Sequence, residues 1–176
     1  MSTVTKTRVL GFSLVELMIG IAILGILIAV AIPSYRTWIL NAQVRNAAES
    51  IQNGLQRARA EALKRNTNVS FTLGAANDSS WSVQVGGGGV PLGNILESRL
   101  SNEGSNSVIL TPVPAVATTV TFDILGRPIA GGLTSVGIDS TILPTAESQD
   151  LSVTIGIGGN IKMCDPNVSS PNPRAC

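Results

Sequence analysis

From Phe12 to Ile32 the chain reads FSLVELMIGIAILGILIAVAI, an unbroken apolar run whose one charge is Glu16. At about 1.5 Å per residue a helix of this length spans roughly 31 Å, the thickness of one hydrocarbon core. Beyond Ser34 the apolar positions thin to a stripe. Val44, Ala48, Ile51, Leu55, Ala58 and Ala62 recur at alternating spacings of four and three, the signature of one helix face. Arg45, Glu49, Gln52, Gln56, Arg57, Arg59 and Glu61 fall off that face. Arg45/Glu49 and Arg57/Glu61 are placed to pair one turn apart. The stripe is too short for a coiled-coil seam and suits docking against a globular head. Asn66-Thr67-Asn68 is the expected end of the helix, which would run from Phe12 to about Arg65.

The period then changes from helical to alternating. Val69 to Leu73 and Trp81 to Val85 read as strands joined by a turn at Asn77-Asp78-Ser79-Ser80. Thr118 to Phe122 is a further strand, followed by a turn at Leu125-Gly126-Arg127-Pro128. Leu151, Val153, Ile155 and Ile157 are expected on one strand face. Gly158-Gly159 then turns the chain into Asn160 to Met163, a hairpin. Gly86 to Gly89 reads as a flexible break. It lacks the Lys-Ser/Thr ending and following helix of a phosphate loop. Residues 90–117 and 129–148 are rich in Gly, Pro and Ser and carry no clear pattern. The expected fold class is α+β: a long N-terminal helix, membrane-spanning in its first half and amphipathic in its second, packed on a β-rich C-terminal head.

Composition narrows the chemistry. The chain has 176 residues and no histidine, which removes the commonest general base and most zinc and haem sites. The acids Asp123, Asp139, Asp150 and Asp165 are scattered without metal-site spacing. No enzyme, cofactor or metal is expected. From residue 69 onward four cations face eight acids, a difference of −4. That opposes a nucleic-acid surface, which relies on clustered positive charge.

The N-terminus admits ordinary readings. Lys6 and Arg8 before an apolar run, with small residues at Ala29-Val30-Ala31, suit a signal peptide or a plain anchor whose N-terminus stays in the cytoplasm. Neither has a use for Glu16, because a carboxylate in an apolar span costs roughly 2.5 kcal/mol or more near the bilayer centre. Gly11-Phe12-Ser13-Leu14-Val15-Glu16-Leu17, with the apolar run and Pro33, resembles the type IV prepilin processing motif. The resemblance implies cleavage between Gly11 and Phe12 by a prepilin peptidase, N-methylation of Phe12, and an assembly role for Glu16. Gly11 has no side chain to obstruct the peptidase. The cut removes Lys6 and Arg8 and creates an amine at Phe12 near Glu16. An amine and a carboxylate buried together offset each other's desolvation. Gly20, Gly25 and Pro33 weaken the helix locally, as membrane helices tolerate, and the resemblance implies stretching between Gly25 and Pro33 when the helix is packed in a filament.

Within that class the head resembles GspH/FimT-type minor pilins and pseudopilins. The resemblance rests on Thr121-Phe122-Asp123 through Gly126-Arg127, the closing hairpin Gly159 to Asp165, and the ending Pro173-Arg174-Ala175-Cys176. It implies a type IV pilin fold with four parts. These are a leader (1–11), a transmembrane or filament-core helix (12–33), an amphipathic helix (34–66) and the head (67–176). With the head outside the inner membrane, Cys164 and Cys176 can form a disulfide. The loop of about 13 residues it closes is worth about 3 kcal/mol in a chain-entropy account. The implied function is a minor pilin of a type IV pilus, built into the filament and its priming or tip complex. The alternatives are a DNA-binding pilin of a competence pilus and a pseudopilin of a type II secretion system. Some FimT-type pilins bind DNA through a Gly-Arg-x-Arg motif. Here the matching stretch is Gly159-Asn160-Ile161-Lys162, which leaves Lys162 and Arg174 as the candidate DNA contacts. The implied partners are other pilins, the prepilin peptidase, the inner-membrane assembly platform and the inner membrane itself. The implied location is a single pass with a periplasmic head, then an extracellular pilus, as in Gram-negative bacteria.

Overall fold

A computed structural model describes residues 12–74 and 78–176. The expected cleavage position Gly11, and the start of the expected turn at Asn77, lie outside the described residues. Helix α1 runs Leu14–Arg65. The chain divides into two compact units, Met1–Arg36 and Thr37–Cys176. In the first, the apolar side chains from Leu14 to Ile32 are exposed.

In the second unit, α1 lies on antiparallel sheets. The stripe read from spacing is the docking face: Val44, Ala48, Ile51, Leu55, Ala58 and Ala62 are fully buried. The face is rich in small residues because the helix comes close to the sheet. A side chain on Gly54 would collide with the rings of Phe71 and Trp81. Those two rings lie 5.6 Å apart. Trp81 Nε1–H donates to the Ser50 hydroxyl at 2.8 Å, so the one polar atom of the buried indole is satisfied. Asn66 ends the helix at φ 51, and the Thr67 amide bonds back to the Ala62 carbonyl. This is a left-handed cap that an asparagine tolerates.

Among the described residues the head has eight strands. One sheet has the order β3-β2-β1-β5 and the other β4-β6-β7-β8. The strands are β1 (Val69–Leu73), β2 (Trp81–Val85), β3 (Ile95–Arg99), β4 (Val108–Val113), β5 (Thr119–Phe122), β6 (Ser135–Ser140), β7 (Leu151–Ile155) and β8 (Ile161–Cys164). Val69, Phe71, Val83, Val120 and Phe122 of the first sheet join Val108, Val136, Ile138 and Val153 of the second in one core under the helix.

Three expectations need correction. Ile157 is not on the β7 face: β7 ends at Ile155, and Ile157 sits in the turn to β8, 95% exposed. The glycine run 86–89, expected as a break, is packed at Gly86 and Gly87 and exposed at Gly88 and Gly89. All four residues hold positive φ, and Gly86 and Gly87 lie over β1, where Ser70 donates to the Gly86 carbonyl at 2.6 Å. A side chain on Gly87 would strike the Ser70 hydroxyl, so this cover needs glycine. Glu61, off the apolar stripe by spacing, is nonetheless buried, 3% exposed. Its carboxylate is met by Arg65 at 2.6 Å, Arg57 at 3.4 Å and Lys64 at 3.8 Å.

Candidate functional site

The N-terminal unit begins with a cap that the apolar reading passed over. Ser13-Leu14-Val15-Glu16 has the S-x-x-E pattern of a capping box. The Glu16 amide donates to the Ser13 hydroxyl at 3.2 Å and the Leu17 amide to the Ser13 carbonyl at 3.2 Å. Glu16 therefore stands in the first turn, where the unpaired helix amides favour negative charge. Phe12 precedes the cap, 81% exposed. Side chains added at Gly20 or Gly25 would meet nothing within 4 Å. Among the described residues of the first unit none covers its apolar surface, and α1 is long and apolar enough to cross a membrane by length and composition.

The second region is the C-terminal end of the head. Cys164 and Cys176 form a disulfide, with Cα atoms 5.0 Å apart. The enclosed loop is ordered by its own backbone. The Asp165 amide donates to the Arg174 carbonyl at 2.7 Å, the Asn167 amide to the Asp165 carboxylate at 2.9 Å, and the Arg174 amide to the Asn172 side chain at 3.0 Å. Lys162 Nζ donates to the Ala175 carbonyl at 2.8 Å. Arg174 instead lines a cleft of about 350 Å³ that also carries Arg45, Asp150, Asp165 and Asn167. The two candidate DNA contacts thus have different surroundings: one cation is bonded to a backbone carbonyl and the other lies beside acids.

At this cleft the structure brings together two carboxyls that the sequence left apart. Asp139 near the end of β6 and Asp150 just before β7 continue the register that pairs Ile138 with Leu151. Like charges in facing positions repel, which opposes ionisation of both carboxyls at once. Burial, then Asp139 beside it, pushes the Asp150 carboxyl up. Burial opposes the Asp139 charge as well, but the Ser148 hydroxyl, the Asp150 carboxyl and the Ser140 amide together hold it down. Asn167 of the disulfide loop donates to Asp150 at 3.2 Å, which ties that loop to the sheet. No group of three metal-ligating side chains occurs among the described residues.

A third feature also went unread: Arg59 of α1 donates from Nε to the Gly126 carbonyl at 3.1 Å. It joins the helix to the turn after β5. That turn is closed by Asp123, whose carboxylate accepts from the amides of Leu125 and Arg127 at 2.9 and 2.8 Å. These backbone donors, that of Arg127 foremost, hold the Asp123 carboxyl below its ordinary range against the cost of burial.

Comparison with known proteins follows the same division of the chain. Residues 47–159 match a family profile described as type II transport protein GspH, and residues 6–32 match a prokaryotic N-terminal methylation motif. A fimbrial protein of Moraxella nonliquefaciens is 60% identical over 37 residues, 21% of this chain and 24% of that protein. The chain thus spans about a quarter of that relative's length. Fimbrial protein Q of Moraxella bovis is 31% identical over 114 residues, 56% of this chain and 73% of that one. Among solved structures, the type IV minor pilin FimU of Pseudomonas aeruginosa has the same fold. It matches with a TM-score of 0.55 at 20% identity, covering 77% of this chain and 96% of that one.

Proposed function

The chain belongs to the GspH family of type IV pilin-like proteins, whose members are structural subunits and not enzymes, and from that premise we propose that it is a minor pilin of a type IV pilus. One observation carries the reading. The chain builds a capped helix whose apolar side chains, Leu14 to Ile32, are exposed among the described residues. In this reading residues 1–11 are a leader, removed by a prepilin peptidase between Gly11 and Phe12, and Phe12 is methylated. Residues 12–33 hold the subunit in the inner membrane with the head, 67–176, in the periplasm. An assembly platform then passes the subunit into the filament and its priming or tip complex, and residues 34–66 stay fixed to the head.

Lipid tails are as apolar as the helix, so leaving the bilayer gains little hydrophobic energy. Close packing and polar pairing between helices supply the drive. Gly20 and Gly25 offer two points where a neighbouring helix can approach. Glu16, placed in the first turn by Ser13, is positioned to receive the Phe12 amine of an adjacent subunit. The GspH match favours a second reading, a type II secretion pseudopilin, with the same processing and the same packing. The competence-pilus reading is weaker, because the head carries four cations against eight acids and Arg174 lies in a cleft beside Asp150 and Asp165.

The test replaces Glu16 with alanine in the full chain. Processing should continue and recovery of the subunit in sheared filaments should fall sharply. Normal recovery would refute the pairing role.

A further inference from the structure

The aromatic residues fall into two sets. Phe71, Trp81 and Phe122 are buried in the core of the head. Phe12, Tyr35 and Trp38 are 81%, 61% and 65% exposed. These six are all the aromatics of the chain, so every exposed one stands at an end of the apolar run 12–32. Tyr35 and Trp38 follow the run within two helical turns. Tyr and Trp are the types that gather where a membrane meets water, because one end of each ring is apolar and the other polar.

A loop of the head reaches back toward this part of the helix. It leaves β6 at Thr141, whose amide bonds to Ser107, and the Ser107 amide in turn donates to Gln43. It returns at Asp150, which lines a cleft with Arg45. Between these points Glu147 accepts from the Thr37 hydroxyl at 3.4 Å and, through its carbonyl, from the Asn41 side chain at 3.0 Å. The Gln149 amide donates to the Asn41 side chain at 2.9 Å. The loop thus runs from the level of Gln43 and Arg45 to that of Thr37, roughly 10 Å along the helix toward the apolar run.

Its own bonds leave an uncharged apolar tip. The Ile142 and Leu143 amides donate to the Ser140 hydroxyl at 3.3 and 3.2 Å, and the Glu147 and Ser148 amides to the Pro144 carbonyl at 2.8 and 3.1 Å. Ile142 is 63% exposed. The one charge in 140–149 is Glu147, which is turned to Thr37. Thr37 lies five residues beyond Ile32 on the same helix, a rise of no more than about 8 Å. A headgroup layer is itself about 5–8 Å thick. A membrane span that ends at Ile32 therefore holds Thr37, and the loop bonded to it, at the headgroups.

We propose that loop 141–149 is a membrane-surface contact of the head: it rests on the headgroup layer of the bilayer that holds the subunit and seats Ile142 and Pro144 there. The inference rests on the membrane-anchored stage of the reading above and adds the surface of the head that meets lipid. So small an apolar contact would not recruit a soluble protein. The span makes the encounter intramolecular, so a weak contact suffices to orient the head. Extraction of the helix from the bilayer releases the loop at the same step.

Both native cysteines are in the disulfide, so Ala146→Cys gives the full chain one free thiol at the loop tip. It is labelled with an environment-sensitive fluorophore and reconstituted into vesicles of phosphatidylethanolamine and phosphatidylglycerol. The quencher is a lipid with a nitroxide near the headgroup end of its acyl chain. The control is the same label at Val116→Cys. Val116 is 93% exposed on the loop after β4, and Val113 and Ser140 stand at opposite ends of the β4–β6 ladder, which places that loop away from 141–149. Quenching at position 146 should be severalfold stronger than at 116 and should fall severalfold when Ile142→Asp is added. Equal quenching at the two positions, or no effect of Ile142→Asp, overturns the proposal. So does absent quenching at 146 in a chain that resists alkaline extraction, which would assign the loop to a protein neighbour. Extraction of the chain by alkali removes the anchored reading and this inference with it, so the two failures are distinguishable.

Discussion

The two stretches of α1 on either side of Arg36 have the same backbone and opposite side-chain arrangements. Before Arg36 nearly every position is apolar and every one described is exposed. After it, a narrow face of Val, Ile, Leu, Ala and Gly is buried on the head, and most other positions are polar. The difference separates two jobs. The second stretch packs against its own chain, where Gly54 permits close contact with Phe71 and Trp81. The first has large side chains that no described residue of its unit covers, so in the reading proposed above their packing energy goes to membrane or to other subunits.

Substitutions sharpen that contrast. The largest effect is expected from Phe71→Ala, which should cost about 3–5 kcal/mol in chemical denaturation of the head, because the ring is fully buried under α1. Leu24→Ala should leave the same transition within about 0.5 kcal/mol, since Leu24 is exposed. Equal losses at the two positions would erase the distinction. Next comes the disulfide: Cys164→Ser with Cys176→Ser should cost about 3 kcal/mol by denaturant midpoint. Gly159→Ala comes third, at more than about 1 kcal/mol, because it strains a positive φ and meets the Gly126 carbonyl. A thermal shift no larger than that of Gly158→Ala, which has open space, would contradict the packed junction.

The smallest effect is in pH dependence. The folded state raises the Asp150 carboxyl above its ordinary 3.8, so its contribution is fully present below that value and drains as pH rises through the folded value. Asp150→Asn should therefore flatten the loss of stability as pH rises above that ordinary value. Glu61 has the opposite sign. The Arg65 hydrogen bond chiefly lowers it, so its contribution is present above its ordinary 4.5 and is lost as pH falls through the folded value. Glu61→Gln should flatten the acid limb. Unchanged pH profiles for both variants would remove these assignments.

Much of the helix was legible because a single period runs through it. The spacing of Val44, Ala48, Ile51, Leu55, Ala58 and Ala62 is a local pattern, and burial followed it. β1, β2 and the β7–β8 hairpin were legible for the same reason. β4 and β6 were not, because Pro112 and Gly137 interrupt their pattern and the two strands pair with each other across an intervening strand, and β3 was not, because it is a mostly exposed edge strand in which no residue is buried. Ile157 misled because alternation persists for one residue pair beyond the last ladder bond. At the candidate site, the cysteines and the N-terminal motif stood out by residue type and spacing. The Asp139–Asp150 pair and the Arg59–Gly126–Gly159 junction exist only once β6 meets β7 and the helix meets two turns. No local pattern announces them. The Ser13 cap could have been read from S-x-x-E, but the apolar run around it drew attention elsewhere.

The central claim is that the exposed apolar helix is a surface shared between processed subunits. Intact-mass analysis of the protein recovered from sheared filaments tests it most directly. The account predicts a chain that begins at N-methylated Phe12 and keeps the whole apolar run. A chain beginning at Met1, or one trimmed beyond Ala31, would contradict it.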